Sequence, residues 1–231
     1  QLCALLGERW PEADPKALGP QIRARVPLVQ VPPRALWGRS GAAAHTSLAH
    51  WLGDDAPLPE PDLDAVVLRY LAAFGPARPH DFQKWSGNTH AAEAFARLRP
   101  RLAAFADEAG HELLDLPDAP RPPADTPVPP RLAGPFDNLI LSHTDTSRVL
   151  PAEHRPRVMT KNGLFPGLVL LDGFVAGSWR ISTTRQRATL AITRYTDKPY
   201  KKADISALTR EGRRLLDFAA SGAFERSVTF G

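Results

Sequence analysis

The chain has 231 residues, with 29 basic and 25 acidic side chains and a formal charge of +4, long enough for one or two domains with real cores. Apolar residues at 43% and charged residues at 23% exclude wholesale disorder. No apolar run approaches the ~20 residues of a membrane-spanning helix, and Gln1-Leu2-Cys3-Ala4-Leu5-Leu6 lacks the order of a secretory signal, so a cytoplasmic protein with no membrane partner is expected.

The first segment opens with a short helix, Leu2 to Arg9. A second follows from Pro15, with Asp14 as N-cap and proline at the first helical position. Val26 to Val31 reads as a strand, Pro32-Pro33-Arg34 as a turn, and Ala35-Leu36-Trp37-Gly38 as the returning strand. Helix, helix and hairpin form the tail of a winged-helix unit without its first helix, so the chain is expected to begin inside a domain. A proline-rich stretch, Ala56 to Pro61, closes the segment.

The second segment repeats the order in full. Asp62 to Phe74 has apolar residues at helical spacing and is stopped by Gly75-Pro76. Pro79 to Trp85 reads as a second helix ended by Ser86-Gly87, and Thr89 to Leu98 as a third capped by Asn88. Ala103 to Asp107 and His111 to Leu116 flank Glu108-Ala109-Gly110 as a hairpin. Three helices and a hairpin make a winged helix, a relative of helix-turn-helix. The stretch Pro117 to Pro130, with seven prolines, reads as an extended linker.

The third segment is strand-rich. Asn138 to Leu141, Gly167 to Leu171, Phe174 to Ile181 and Ala188 to Thr193 all read as strands, with Asp172-Gly173 a tight-turn signal. Ile205 to Ala219 reads as a helix capped by Asp204. A sheet or small barrel closed by one helix is expected.

Charge is unevenly divided. Residues 1–56 are net +1, residues 57–117 net −3, residues 118–133 neutral, and residues 134–231, with 15 basic and 9 acidic side chains, net +6. Basic surfaces attract phosphate backbones, although a solvated basic surface with no ligand accounts for the charge equally well.

These residues carry a resemblance. Pro27-Leu28-Val29-Gln30-Val31-Pro32-Pro33-Arg34-Ala35-Leu36-Trp37-Gly38 resembles the middle wing of the bacterial tandem winged-helix DNA-binding proteins. Tyr70 to Ala77, Trp85-Ser86-Gly87 and Leu114 to Pro120 are similar to its third winged helix. Phe136-Asp137-Asn138-Leu139-Ile140-Leu141-Ser142-His143-Thr144-Asp145 and Asp172 to Trp179 resemble its C-terminal β-domain. The family includes the AlkZ-like DNA glycosylases, which remove bulky alkylated purines and unhook interstrand crosslinks. The resemblance implies an α+β fold of tandem winged helices followed by a C-terminal β-barrel-like domain with one closing helix. Residues 1–56 would be a partial winged helix, 57–117 a complete one, 118–133 a linker and 134–231 the β-rich domain. It also implies double-stranded DNA as partner, no small-molecule cofactor, and a monomer.

The family signature, Gln-apolar-Gln or Gln-x-Asp in the first winged helix, is started by none of Gln1, Gln21, Gln30, Gln83 or Gln186. The chain is therefore read as a fragment or short version of a repair glycosylase that binds DNA without excising bases. A non-catalytic winged-helix DNA-binding protein and a protein-interaction scaffold are the alternatives. Base excision needs a polar group to orient or deprotonate a water. His143 and Asp145 are the nearest such pair, spaced i, i+2 on a possible strand end; the favoured reading is a turn in which Asp145 caps N–H groups and His143 packs. No Gly-x-Ser-x-Gly elbow occurs, and the seven histidines and lone Cys3 show no metal-ligand spacing, so no metal is expected. For DNA contact, Arg148, Arg155, Arg157, Lys161 and Asn162 crowd what reads as a basic hairpin tip ending in Asn162-Gly163. Trp10, Trp37, Trp51, Trp85 and Trp179 read as core or inter-domain packing.

Overall fold

In the structure, a computed structural model describing residues 2–34, 36, 37, 39, 41–53, 60–160, 162–184 and 186–231, the chain divides into two units, Gln1–Pro61 and Asp62–Gly231. In the first, α1 (Leu2–Arg9) is followed by α2 (Pro15–Arg25), where Asp14 Oδ1 accepts the Lys16 N–H at 2.9 Å. A short aspartate side chain satisfies one of the orphan donors of the first turn, which fixes the start of this helix.

β1 (Leu28–Val31) pairs antiparallel with β2 (Ala44–Ser47), a return strand further along than the expected 35–38. Ala35 and Gly38 lie outside the described residues, but Leu36 and Arg39 spend their N–H groups on Pro33 and Leu36 carbonyls at 3.1 Å each. Donors used in consecutive local turns are not available to a ladder, so the chain returns only at Ala44. Ser47 then caps α3 (Leu48–Leu52) through the His50 N–H. Trp10, Trp37 and Trp51 are 50%, 74% and 56% exposed, against the packing expected of them. Among the described residues of this unit Leu6 is the one buried hydrophobic side chain, so they offer no buried cluster for the indoles to enter.

The second unit begins with three helices, α4 (Leu63–Phe74), α5 (Pro79–Ser86) and α6 (Ala91–Leu98). Asp62 caps α4 through the Ala65 N–H at 3.0 Å, and α4 buries Val67, Tyr70 and Leu71. The α6 face Ala91, Ala94, Phe95 and Leu98 has the i, i+3, i+4, i+7 spacing of an inward stripe. With Phe82 of α5 they form one core, in which the Tyr70 and Phe82 rings meet edge to face at 5.3 Å. Full burial contributes roughly 1.5–3 kcal/mol per large apolar side chain, so this stripe is the main source of local stability. The third helix starts at Ala91 rather than Thr89 because Asn88 Oδ1 takes the His90 N–H, holding 88–90 as a turn.

β3 (Ala103–Ala106) and β4 (Glu112–Asp115) form the antiparallel pair after these helices. The proline-rich stretch that follows is pinned rather than free. The Arg121 guanidinium donates to the carbonyls of Leu116, Pro117 and Ala119 and to the buried Asp115, and lies 4.6 Å over the Phe105 ring. Its far end, β5 (Arg131–Ala133), joins a sheet.

That sheet runs β5-β6-β7-β8-β9, with β6 (Gly167–Leu171), β7 (Phe174–Thr183), β8 (Arg187–Arg194) and β9 (Glu225–Phe230). All neighbours are antiparallel except β8 and β9. The parallel pair needs a crossover, which α9 (Lys202–Ala219) supplies. Because β9 is placed beyond β8, β5 and β9 remain opposite edges, and the described residues form an open sheet rather than a barrel. Asp172 and Gly173, at φ 50° and 80°, make the expected tight turn. Lys201, not Asp204, occupies the N-cap of α9, and Asp204 sits in its first turn.

Asn138–Leu141, read as a strand, is the short helix α7. Asp137 accepts the Leu139 N–H and the Ser142 N–H returns to Asn138, so capping overrides an apolar run too short to show a period. Arg155–Val158 is another short helix, α8, and the described residues there form no hairpin: Gly163 closes a turn onto Thr160, and strand pairing begins at Gly167. No helix among the described residues is long and apolar enough to cross a membrane.

Candidate nucleic-acid interface

The segment from Asn138 to Arg148 is where the three helices meet the sheet. Tyr70 Oη donates to the Ser142 carbonyl at 2.6 Å, and Lys84 Nζ to the His143 carbonyl at 2.9 Å. Trp85 Nε1 donates to Asn138 Oδ1 at 3.2 Å. The Thr144 N–H donates to Asp81 Oδ1 at 2.8 Å, while Asp81 Oδ2 accepts the Arg78 N–H at 2.9 Å. Asp81 is 3% exposed. Burial works to raise its carboxyl, but the N–H bonds from Arg78 and Thr144 outweigh it and hold the group below the usual carboxylate range.

His143 and Asp145 stand on this irregular segment, not on a strand end, and their environments are opposite. Burial, with the Arg148 charge, pulls the His143 ring below its ordinary value against the pull of Asp81 and the Pro76 and Phe74 carbonyls, so it is neutral at pH 7. Its Nδ1 meets Ser142 Oγ at 3.0 Å; Nε2 is buried, and no contact to it meets the geometry of a hydrogen bond. Asp145 is exposed, and its Oδ1 accepts the Ser147 N–H at 2.8 Å. That bond, with the charges of Arg148 and Arg78, keeps its carboxyl low and ionised. Such a carboxylate orders a turn and faces water; the neutral imidazole packs.

Two grooves flank the segment. One of about 510 Å³ runs past Phe74, Asn138, His143, Asp145 and Arg148. The other, about 650 Å³, runs past Arg78, Asp107, Asp145, Arg148 and Phe174. Arg148 is exposed at both, with no ion pair among the described residues. The other candidates differ. Arg155 Nη1 reaches Thr146 Oγ1 at 3.4 Å. Arg157 is tied down: Nη1 donates to the Tyr195 carbonyl at 3.0 Å and the guanidinium sits 5.3 Å from the Tyr195 ring. Asn162 is exposed in the turn, and Lys161 lies outside the described residues. Arg78 and Asp81, which sequence reasoning did not single out, line the second of these grooves; only the Pro79 helix start marked the place. No three histidine, cysteine, aspartate or glutamate side chains gather as metal ligands among the described residues.

The model of the AlkZ-like DNA glycosylases matches residues 1–218. The chain belongs to the AlkZ-like DNA glycosylase family. It is 31% identical over 173 residues to an interstrand DNA cross-link repair glycosylase of Streptomyces sahachiroi, a match covering 68% of this chain and 43% of that protein. The solved structure of the Streptomyces sahachiroi DNA glycosylase AlkZ superposes with a TM-score of 0.67 at 27% identity, over 88% of this chain and 54% of that one. The chain thus spans about half the length of the AlkZ-like relatives it matches. The segment of His143, Asp145 and Arg148 lies inside the matched residues.

Proposed function

We propose that these residues form the DNA-holding part of a glycosylase that repairs alkylated or cross-linked DNA, gripping double-stranded DNA through the second unit. Exposed Arg148, standing at two grooves without an ion pair among the described residues, in a chain of the AlkZ-like family, carries this reading. Its helices α4–α6 with β3–β4 are a winged helix over 57–117, and α2 with β1–β2 is part of another over 1–56. Residues 118–133 are the connection and 134–231 the β-domain. Arg148, Arg155, Lys161 and Asn162 contact the DNA backbone, whereas Arg157 supports them by packing on Tyr195. Phosphate contacts position a protein on a duplex without reading its sequence, which suits a search for lesions.

Excision is assigned to neither His143 nor Asp145. The half-buried imidazole is neutral and turns Nε2 inward away from solvent, and the Asp145 carboxylate is engaged by the Ser147 N–H. No glutamine of these 231 residues starts the family's signature, so on their own they release no base. Incubation with duplex carrying a 7-alkylguanine, scored for abasic sites and by fluorescence anisotropy, tests both halves. Salt-dependent binding without abasic sites is expected. Absence of duplex binding overturns the DNA reading, and excision above a heat-killed control brings Asp145 back as a catalytic group.

A further inference from the structure

The two faces of the five-stranded sheet are dressed differently. On one, Leu208, Gly212 and Leu216 of α9 pack against Val169, Leu190 and Ile192. The contact is close enough that a Cβ at Gly212 would meet Val228 Cγ2 at 2.9 Å. On the other, Ile140 of α7 and Val158 of α8 cover Leu168 and Leu170 of β6 and Val175 at the start of β7. Beyond Val175, over the rest of β7 and over β8 and β9, that second face carries no apolar cluster among the described residues.

Strand alternation fixes what it presents instead. Ser178 lies opposite Thr193, Arg180 opposite Ala191, and Ser182 opposite Thr189. On the next strand Ser227 lies beside Thr189, their hydroxyl oxygens 3.1 Å apart. Arg180 is exposed and has no ion pair among the described residues, and Glu225, at the rim, is taken by Arg187 at 2.9 Å. Two shallow grooves follow the face, about 610 Å³ around Ser178, Arg180 and Thr193, and about 620 Å³ around Ser182, Thr189 and Arg187. A sheet face that only meets water is polar, but it has no reason to exclude long side chains. Here small hydroxyls leave the surface low and rich in donors, with two arginines and a single, already paired carboxylate.

We propose that this face of β7, β8 and β9 is a second contact for the phosphate backbone of duplex DNA, separate from the grooves at Arg148. Serine and threonine hydroxyls donate to phosphate oxygens, and Arg180 adds a charged, fork-shaped donor between them. The charge complementarity is local: it rests on Arg180 and Arg187 standing where no carboxylate is free. This inference rests on the DNA-binding reading above.

The test is duplex binding by the full chain, followed by fluorescence anisotropy over a series of salt concentrations. Arg180→Gln flattens the slope of log K against log[salt] by ~0.9, the loss of one phosphate contact, and Arg180→Lys restores it. Thr193→Val weakens binding with the slope unchanged, since a neutral donor releases no counterion. Arg213→Gln, exposed on α9 beyond the opposite face, removes the same charge and leaves the slope as it was. An Arg180→Gln slope equal to wild type, or an equal shift from Arg213→Gln, overturns the assignment. Loss of slope from Arg148→Gln but not from Arg180→Gln overturns this face alone, whereas a wild-type chain that binds no duplex overturns both readings.

Discussion

Tyr70 of α4 donates its phenolic O–H to the carbonyl of Ser142, 72 residues further along the chain, at 2.6 Å and out of contact with water. The same ring packs on Phe74, Phe82 and Trp85, with centroids 5.2–5.5 Å away. One side chain therefore serves the helical core and fixes the segment that carries His143, Asp145 and Arg148. Burial pushes its hydroxyl well above the ordinary tyrosine value, so it remains a donor at any working pH.

Tyr70→Phe keeps the ring stack and removes the donor. The Ser142 carbonyl then stays buried without its partner, at a cost of about 1–3 kcal/mol. Thermal denaturation should show the melting temperature falling by several degrees, given ~2–4 °C per kcal/mol at this size. An unchanged melting temperature would mean that water replaces the phenol at no cost.

The pH dependence near neutrality should come from His143. Its folded value lies below the unfolded one, so below about pH 6.5 the unfolded chain takes the proton first. Stability is full above that value and declines as pH falls toward the folded value. Urea midpoints measured from pH 8 downward should drop through this window in wild type and less in His143→Gln. Asp81 adds a separate loss only below its ordinary carboxylate value, since its folded form is held lower still. Parallel curves for wild type and His143→Gln would rule out the assignment.

Arg148 and Arg157 should separate by the kind of damage they cause. Arg157→Gln loses the Tyr195 contacts and lowers stability, with little change in the salt slope of DNA binding. Arg148→Gln leaves the melting temperature alone and flattens the slope by ~0.9. The reverse pattern would place the DNA contact on α8.

Gly177 should not tolerate a methyl group. A Cβ there would meet the Thr193 carbonyl oxygen and the Tyr200 hydroxyl, each at 2.5 Å, and Tyr200 Oη bonds the Ala176 carbonyl at 3.1 Å. Gly177→Ala is expected to cost about 1–3 kcal/mol as overpacking, read as a lower urea midpoint. A neutral result would show that β7 can move away from β8.

Much of the local structure was legible because it is set within a few residues. Asp14-Pro15 and Asp62 begin helices where short acidic side chains meet orphan N–H groups, and Gly87 ends one by taking φ 74°. The failures have physical causes too. Asn138–Leu141 is apolar without a period, and only the Asp137 cap makes it a helix. Pro32-Pro33-Arg34 has the composition of a hairpin turn, which puts the return strand at Ala35, whereas β1 pairs with a strand that begins at Ala44. β9 gives little signal in sequence, because charged Glu225 and Arg226 stand at one end of its short alternation.

The sequence by itself determined the three helices and the hairpin between Asp62 and Leu116, the basic excess of residues 134–231, and the likeness to a DNA-repair family that the matched residues 1–218 bear out. Those properties are local or additive, so they can be read without knowing what touches what. Only the tertiary structure decided which charges are free. Arg148, Arg157 and Arg180 are alike in sequence, but Arg157 is occupied by Tyr195 while the other two stand without an ion pair among the described residues. It also decided that Asp81 reaches Thr144 across 63 residues and that α9 carries β9 to the far edge of an open sheet. Partners so distant in the chain meet only when burial of the separate apolar faces brings them together, and no pattern within either segment records the meeting.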